Sequence, residues 1–287
     1  MRVLLTAWLL FAVAPGYQEE VSKWRQDREA GLKAEYGWLS VSGLFWLKEA
    51  YNNVGSSPTC NVRLPRGPAK AAILTVRLGK IHLEANPGVA LTVNGKAVQS
   101  ADLRSDRDGA KPDIIGIDDL RLFVIHRDNK DAIRLKDPQA ATRREFTGLK
   151  WFPIQPAWKI EAKFVTYPKP KKLTIDTMIG GKEEDLSPGY AEFQRDGQTI
   201  RLEATDEDNS LFFVFRDKTA GKSTYPAARF LSAQMPKDGK VTLDFNRAYN
   251  PPCAFTSFAT CPLPTPQNRL SIEIPAGEMM YKSNLHP

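Results

Sequence analysis

The sequence predicts an all-β protein with one N-terminal helix, arranged as two β lobes. The first observation is a period of two in the apolar residues of many short segments after Trp38, because strands that bury one face alternate in this way. The second is the Gly, Asn, Asp and Pro residues between these segments, where tight turns need them. The third is that strand and helix patterns do not alternate along the sequence, which excludes a parallel α/β sheet.

Residues 1–16 have the pattern of a secretory signal peptide. Arg2 precedes an apolar run that ends at Ala14 with small residues. We expect cleavage after Gly16, because cleavage after Ala14 would put the disfavoured Pro15 next. The alternatives are a buried strand or an uncleaved anchor, but the run is short for a membrane span. The mature chain is therefore predicted to be exported, periplasmic or extracellular, with no transmembrane segment.

A helix is predicted within residues 17–37, packed on the outside of the fold. Long or apolar side chains recur there at spacings of three and four, with charged residues between them. They are Val21, Trp24, Arg28 and Leu32. Gly37 is expected to end the helix.

The N-terminal lobe is expected over residues 38–150 and should be a β-sandwich. Its strand candidates lie around Val54 and at 62–64, 73–76, 81–83, 89–93, 120–125 and 133–135. Asn94-Gly95 predicts a hairpin turn, because both residues tolerate a positive φ. Many short strands with regular turns are typical of a sandwich or a barrel.

The C-terminal lobe is expected over residues 151–287, as a β-barrel or a second sandwich. A proline-rich and aromatic segment at 143–158 connects the two halves. Strand candidates lie beyond it at 160–165, 173–175, 191–193, 199–203, 211–215, 228–231, 241–245 and 270–274. Asp196-Gly197 and Asp238-Gly239 predict hairpin turns.

Composition and motifs argue against several classes of function. The net charge is +7, but Lys and Arg are dispersed, so no nucleic-acid partner is expected. The Gly221-Lys-Ser-Thr224 run is not a phosphate loop, since the first glycine is missing and Pro226 stands where a helix must begin. A zinc site needs about four ligands, and the histidines are few: His82, His126 and His286. No metal or cofactor is therefore predicted.

The cysteines of the chain are Cys60, Cys253 and Cys261. In an oxidising compartment Cys253 and Cys261, which lie in one loop, are the expected disulfide pair. Cys60 is then left over. The alternatives are a nucleophilic, redox-like thiolate at Cys253 or a metal-binding pair.

Polar side chains concentrate in the last quarter of the chain, which contains the loop from Asn250 to Cys261, rich in Pro, Asn and Cys. The predicted ligand-binding residues are Asp217, Tyr225, Arg229, Asp244, Asn246, Tyr249, Asn250 and Asn268. Asp244 and Asn246 are alternate residues and should share one strand face. If their strands are neighbours, Arg229 and Asp244 would pair beneath the loop and orient a ligand carboxylate or phosphate. The structural alternative is that these Asp and Asn side chains satisfy loop amides.

The same region carries a family resemblance. The run Asp244-Phe-Asn-Arg-Ala-Tyr-Asn-Pro-Pro-Cys-Ala-Phe255, with Cys261-Pro-Leu-Pro264 and Ala276-Gly-Glu278 beyond it, resembles the bacterial DUF1684 family. Landmarks such as Gly43-Leu-Phe-Trp-Leu47 extend the resemblance over nearly the whole mature chain. Because that family name records an unknown function, the resemblance implies no activity.

A second likeness concerns the N-terminal lobe. The segment from Asn53 to Leu64, together with Val93-Asn-Gly-Lys-Ala-Val98, is similar to the layout of forkhead-associated β-sandwiches. Gly55 stands where those domains have a comparable glycine, but the arginine that should come next is Ser56 here. The likeness thus supports a β-sandwich and argues against phosphopeptide binding.

These residues support three hypotheses of function. The first is an exported binding protein that holds a small polar or anionic ligand in a pocket under the Cys/Pro loop, walled by Tyr225, Tyr249 and Phe255. The second is a hydrolase or lyase that uses Asp244 or Glu278 as general acid/base and Arg229 to stabilise an oxyanion. The third is a structural envelope protein.

Overall fold

The computed structural model describes residues 15–281, and most of the predicted signal peptide, residues 1–14, lies outside them. The described chain is mostly β, with one long N-terminal helix, α1 (Pro15–Lys33), and a short helix, α2 (Ala141–Arg144). The predicted fold class is therefore confirmed. Within residues 15–281, no helix has the length and apolar character that crossing a membrane requires.

Helix α1 begins and ends a few residues before its predicted bounds. The predicted spacing is correct, because Val21 and Leu32 are fully buried beneath the helix. Gly37 lies beyond the helix, in the turn after Lys33. A Cβ atom on Gly37 would lie 2.4 Å from the carbonyl oxygen of Gly31, so the glycine permits a close backbone approach instead of ending the helix.

The N-terminal lobe is a sandwich of two sheets. Its strands are β1 (Val41–Trp46), β2 (Ala50–Gly55), β3 (Val62–Arg63), β4 (Ala72–Arg77), β5 (Lys80–Ala85), β6 (Leu91–Val93), β7 (Lys96–Val98), β8 (Ser100–Leu103), β9 (Ile115–Ile117), β10 (Leu120–Arg127) and β11 (Lys130–Lys136). One sheet has the order β1-β11-β10-β9-β6-β7 and the other β3-β2-β4-β5-β8. Leu74 and Leu83 of the second sheet share a core with Leu122 and Ile133 of the first. This shared core makes the lobe a sandwich.

The hairpin turns predicted from sequence are present. Asn94 and Gly95 have φ values of 51° and 80°, and they join β6 to β7 with Leu91 opposite Val98. Asp196-Gly197 and Asp238-Gly239 also combine positive φ values with antiparallel pairing of the flanking residues. Local turn chemistry therefore determines these connections.

The C-terminal lobe is one strongly curved sheet. Its strands are β12 (Lys159–Asp176), β13 (Lys182–Arg195), β14 (Gln198–Glu207), β15 (Ser210–Phe215), β16 (Arg229–Gln234) and β17 (Lys240–Asp244). The sheet order is β16-β15-β14-β13-β12-β17, and its two edge strands lie close together, so the sheet is a nearly closed barrel. Phe213, Phe215 and Phe245 are fully buried in its core.

Strand β12 differs from the prediction of two separate strands at 160–165 and 173–175. It is continuous, but its pairing with β13 shifts register between Thr166 and Lys171. Pro168 and Pro170 lie in this irregular stretch. A proline has no backbone N–H to donate, so it is tolerated where regular pairing is interrupted.

The predicted strand at 270–274 is wrong, although its alternating burial is correct. Leu270, Ile272 and Ile274 are buried in the barrel core while the residues between them are exposed. This stretch belongs to none of the sheets. At Ile274, side chains replace a neighbouring strand: Asp217 accepts from the backbone N–H at 2.6 Å, and Arg229 donates to the carbonyl oxygen at 3.0 Å.

Candidate functional site

The Asn250–Cys261 loop lies where the two lobes meet. Cys261 packs with Phe230 of β16, and Phe212 of β15 packs against the same cluster. On the other side, the Thr256 hydroxyl donates to the carbonyl oxygen of Val41 in β1 at 3.1 Å. The loop is therefore held by contacts with both lobes.

A cavity of about 350 Å³ lies beside this loop, and we call it the lobe-junction cavity. Both lobes and the loop contribute to its wall. Its charged and sulfur-bearing side chains include those of Arg134, Glu183, Asp185, Glu207 and Cys261. Trp38, Phe212 and Phe230 add aromatic surface, and the rings of Phe212 and Phe230 pack edge to face at 4.9 Å. An aromatic wall with a few convergent polar groups is typical of small-molecule sites.

Arg134 of β11 is the most unusual residue in this wall. Only 6% of it is exposed, and its guanidinium lies 5.2 Å from the centre of the Trp38 ring. Its Nη2 donates to the Thr260 hydroxyl at a long 3.4 Å, and its Nε has no hydrogen-bond partner. Burial lowers the pKa of Arg134 to about 10. A buried guanidinium with an unused donor is suited to an anionic group.

Carboxyl groups surround the cavity. Burial raises the pKa of Glu183, Asp185 and Glu207 above their ordinary values. Glu183 also forms an ion pair with Arg127, whose Nε lies 3.3 Å from Oε1. These groups can accept hydrogen bonds when ionised and donate them when protonated.

Asp217 and Arg229, both predicted site residues, form a closed structural cluster. Each side chain is 1% exposed, and Arg229 Nη2 lies 3.2 Å from Asp217 Oδ1. The Asp217 oxygens also accept from the Thr219 hydroxyl and the backbone N–H of Ile274. Arg229 donates to the carbonyl oxygens of Ile274 and Ala276, while its Nε has no hydrogen-bond partner. This cluster fastens the C-terminal segment to the barrel, and neither Asp217 nor Arg229 lines the lobe-junction cavity.

Asp244 and Asn246 form a second cluster, which differs from the predicted arrangement. Strand β17 ends at Asp244, whose Oδ1 accepts from the backbone N–H of Asn246 at 3.1 Å and so caps a short turn. The two residues therefore do not share a strand face. Asp244 accepts from the Tyr17 hydroxyl at 2.8 Å and pairs with Arg247 at 3.3 Å, so the predicted pair with Arg229 is wrong.

Asn250 and Glu278 form a third cluster. Asn250 Nδ2 donates to Glu278 Oε1 at 2.7 Å, and Arg28 Nε lies 3.6 Å from Glu278 Oε2. Glu278 is completely buried, and this burial raises its pKa to about 7. Arg28 also lies 4.6 Å from the ring centre of Tyr249, which lines a separate groove of about 630 Å³ beside α1. The cluster joins α1 to the loop and to the C-terminal segment.

The Asn268 side chain takes the place of backbone hydrogen bonds between strands β14 and β15. Its Oδ1 accepts from the backbone N–H of Glu203 at 2.7 Å, and its Nδ2 donates to the carbonyl oxygens of Glu203 and Val214, both at 2.9 Å. Pairing of β14 with β15 stops just before this point. The side chain is fully satisfied by backbone groups, as the structural alternative for these polar residues predicts.

Tyr225 and the two loop cysteines lie together. The described cysteines are free thiols in the structure, which therefore does not contain the expected disulfide. Cys253 and Cys261 are nevertheless neighbours, because the backbone N–H of Cys253 donates to Cys261 Sγ at 3.2 Å. The Tyr225 hydroxyl donates to the carbonyl oxygen of Cys253 at 3.1 Å. Phe255, another expected wall residue, is fully buried against Leu32.

The structure thus separates the predicted site residues from the cavity. Asp217, Arg229, Asp244 and Glu278 belong to three clusters, and none of them lines the lobe-junction cavity. Sequence reasoning missed Arg134. In the sequence, Arg134 stands out only as a single charge within the apolar run Ala132–Leu135. This pattern identifies Arg134 as buried only when it is also known that both faces of β11 are covered. Among residues 15–281, no group of His, Cys, Asp and Glu is arranged to hold a metal ion.

Fold and cavity together define a two-lobed β protein with a polar cavity between a sandwich, a barrel and a Cys/Pro loop. Residues 144–279 match DUF1684, described as a protein of unknown function, and through these residues the chain belongs to that family. The N-terminal landmarks lie outside the matched residues. A similar solved structure is the solution NMR structure of an uncharacterized protein from Haloarcula marismortui, with 32% identity, coverage of 50% of this chain and 81% of that chain, and a TM-score of 0.41. No curated protein matches the sequence.

Proposed function

We propose that the protein binds a small polar ligand with an anionic group in the lobe-junction cavity. The observation that carries this proposal is the Arg134 guanidinium, which is buried beside the cavity with its Nε unpartnered. Leaving a buried donor unpaired costs about 1–3 kcal/mol, and more for a charged group. A ligand carboxylate or phosphate in the cavity would offset part of the cost of burying the Arg134 charge.

The other residues that line the lobe-junction cavity restrict the kinds of ligand that would fit it. Glu183, Asp185 and Glu207 would bind hydroxyl or ammonium groups beside the anionic group. Phe230 and Trp38 offer apolar surface for the ligand's carbon skeleton. Sugar acids and amino-acid-like zwitterions have this combination. The cavity volume of about 350 Å³ suits a small molecule of this kind.

The test is ligand binding by the wild type and two variants. Glucuronate, glutamate, citrate and inorganic phosphate serve as probes in calorimetry and thermal unfolding. A probe at a hundred times its Kd should stabilise the folded state by about 2.7 kcal/mol. Arg134→Met should abolish the effect, while Arg77→Met, which removes an exposed charge from the same lobe, should retain it. Equal binding by Arg134→Met, or no binding of any probe, would count against the proposal.

Stability provides an internal control for Arg134→Met. The decrease of the Arg134 pKa from 12.5 to about 10 corresponds to roughly 3 kcal/mol of unfavourable burial of the charge. The contact with Trp38 returns about 1–2 kcal/mol of this. The variant should therefore be at least as stable as the wild type, so that lost binding cannot be attributed to unfolding.

Export is a separate proposal. Arg2 and the apolar run up to Ala14 favour a cleaved secretory signal. Expression with the full N-terminus and N-terminal sequencing of the secreted fraction should find a mature chain that begins at Tyr17. Retention of the uncleaved chain in the cytoplasm would contradict this proposal.

A further inference from the structure

The two loop cysteines are adjacent but differ in their surroundings. Cys253 is partly exposed, whereas Cys261 is 5% exposed and lines the lobe-junction cavity. The backbone N–H of Cys253 holds Cys261 Sγ at 3.2 Å, and the Tyr225 hydroxyl donates to the carbonyl oxygen of Cys253 at 3.1 Å. Cys60 is also a free thiol but lies in the N-terminal lobe, where its Sγ contacts the carbonyl oxygen of Ala69.

We propose that Cys253 and Cys261 form a redox-active dithiol that reduces small hydroperoxides, with Cys253 as the attacking thiol and Cys261 as the resolving thiol. The site does not depend on ligand binding by the cavity. Unlike the cysteines of a structural disulfide, the two sulfurs react in a defined order, and their oxidant is a hydroperoxide. The assignment rests on the contact of Cys261 Sγ with the backbone N–H of Cys253 and on the unequal exposure of the two residues.

The reaction balances in two steps. In the first, the Cys253 thiolate attacks the terminal oxygen of the hydroperoxide. An S–O bond forms, the O–O bond breaks, and the leaving alkoxide takes a proton to become an alcohol. In the second, Cys261 loses its proton and attacks the Cys253 sulfenic sulfur, so that an S–S bond forms, the S–O bond breaks and water leaves. Two electrons pass from the sulfurs to the peroxide.

The electrostatic surroundings support this order. Hydrogen bonds from Cys261 and from the Tyr225 hydroxyl lower the pKa of Cys253. The interaction with Cys253 and burial raise the pKa of Cys261, so Cys261 keeps its proton in the resting pair. In the second step the nearby charge of Arg134 favours the Cys261 thiolate. Because a thiolate is the reactive form, Cys253 should be oxidised first.

The test uses the reduced full chain and stoichiometric hydrogen peroxide. Of the 3 cysteines, Cys253 and Cys261 should lose their thiols together, and peptide mass spectrometry should find them joined. Cys261→Ser should accumulate a sulfenic acid at Cys253 that dimedone traps. Cys253→Ser should slow the reaction at least about tenfold, since burial still disfavours the thiolate of the remaining loop cysteine. Cys60→Ser is the matched control and should react like the wild type.

Tyr225→Phe tests the positioning role of the hydroxyl. The interaction with the Tyr225 hydroxyl lowers the pKa of Cys253, so its loss should move the pH–rate profile of oxidation to higher pH, which a purely structural effect would not do. The proposal is overturned if the wild type reacts no faster than free cysteine. Preferential dimedone labelling of Cys261, or equal oxidation of Cys60, would overturn it as well.

Discussion

Glu278 gives the sharpest prediction about stability. Burial raises its pKa from 4.5 to about 7, so between these pH values the folded state binds a proton that the unfolded chain has already released. The contribution of Glu278 is therefore most favourable below pH 4.5, and it is lost as the pH rises through about 7. At about 1.4 kcal/mol per pH unit, the total loss is about 3 kcal/mol.

The perturbation is Glu278→Gln, which keeps the shape and removes the titration. The free energy of unfolding of variant and wild type should be measured by urea denaturation at several pH values. Their difference should change in favour of the variant by about 3 kcal/mol between about pH 4.5 and pH 8. Titration of Glu183, Asp185 and Glu207 cancels in this difference, because it occurs in both proteins.

Glu161→Gln is the matched control, since it removes the same charge from an exposed strand position. A constant difference between Glu278→Gln and the wild type across this pH range would refute the reasoning. The reasoning would also be refuted if the stability of Glu278→Gln decreased relative to that of the wild type as the pH rises. That result would mean that the ion pair with Arg28 outweighs the cost of burying the carboxylate.

Further predictions concern two of the residues that were predicted to form a ligand site and one close backbone contact in the N-terminal lobe. Asp217→Asn should lower the free energy of unfolding by about 3–5 kcal/mol, because it leaves the Arg229 charge buried without its partner, and urea denaturation measures this; a loss below about 1 kcal/mol would contradict it. Asn268→Ala should lower the free energy of unfolding by about 2–4 kcal/mol, since it leaves buried backbone groups unpaired. Amide hydrogen exchange should become faster where Asn268 joins β14 to β15. Unchanged exchange there would show that water replaces the side chain. Gly55→Ala would place a Cβ atom 2.3 Å from the carbonyl oxygen of Ala69. The free energy of unfolding, measured by thermal unfolding, should therefore decrease by about 1–3 kcal/mol. An unchanged Tm would show that this backbone can move.

The fold was predictable where local chemistry decides it. Asn94-Gly95 makes its turn through φ values that these residues tolerate. The spacing of Val21 and Leu32 placed the buried face of α1 correctly. The bounds were less predictable, because tertiary contacts such as that between Tyr17 and Asp244 extend the first turn of the helix. The stretch 270–274 looked like a strand because its burial alternates. Alternation does not reveal that Leu270 and Ile272 hydrogen-bond to the backbone of residues 216–218, whereas Ile274 is bound by side chains.

The site was less predictable, for a physical reason. Asp217, Asn268 and Glu278 were recognisable as buried polar residues in an aromatic region, but the same residue types serve both ligands and backbone groups. Their partners, such as Ile274 for Asp217, lie far away in the sequence. Only the folded chain shows that Asp217 and Asn268 are satisfied internally and that Glu278 accepts from Asn250 through one carboxyl oxygen.

The β class, the turns and the region that belongs to DUF1684 are predictable from the amino-acid sequence alone. These depend on the period of apolar residues and on the conformations available to single residues, both of which are local. The burial of Arg134 beside a cavity, with an unpaired Nε, and the adjacency of Cys253 and Cys261 are visible only in the folded chain. The burial of a side chain and the contacts between the two lobes depend on segments that are far apart in the sequence. A local sequence pattern therefore cannot predict them.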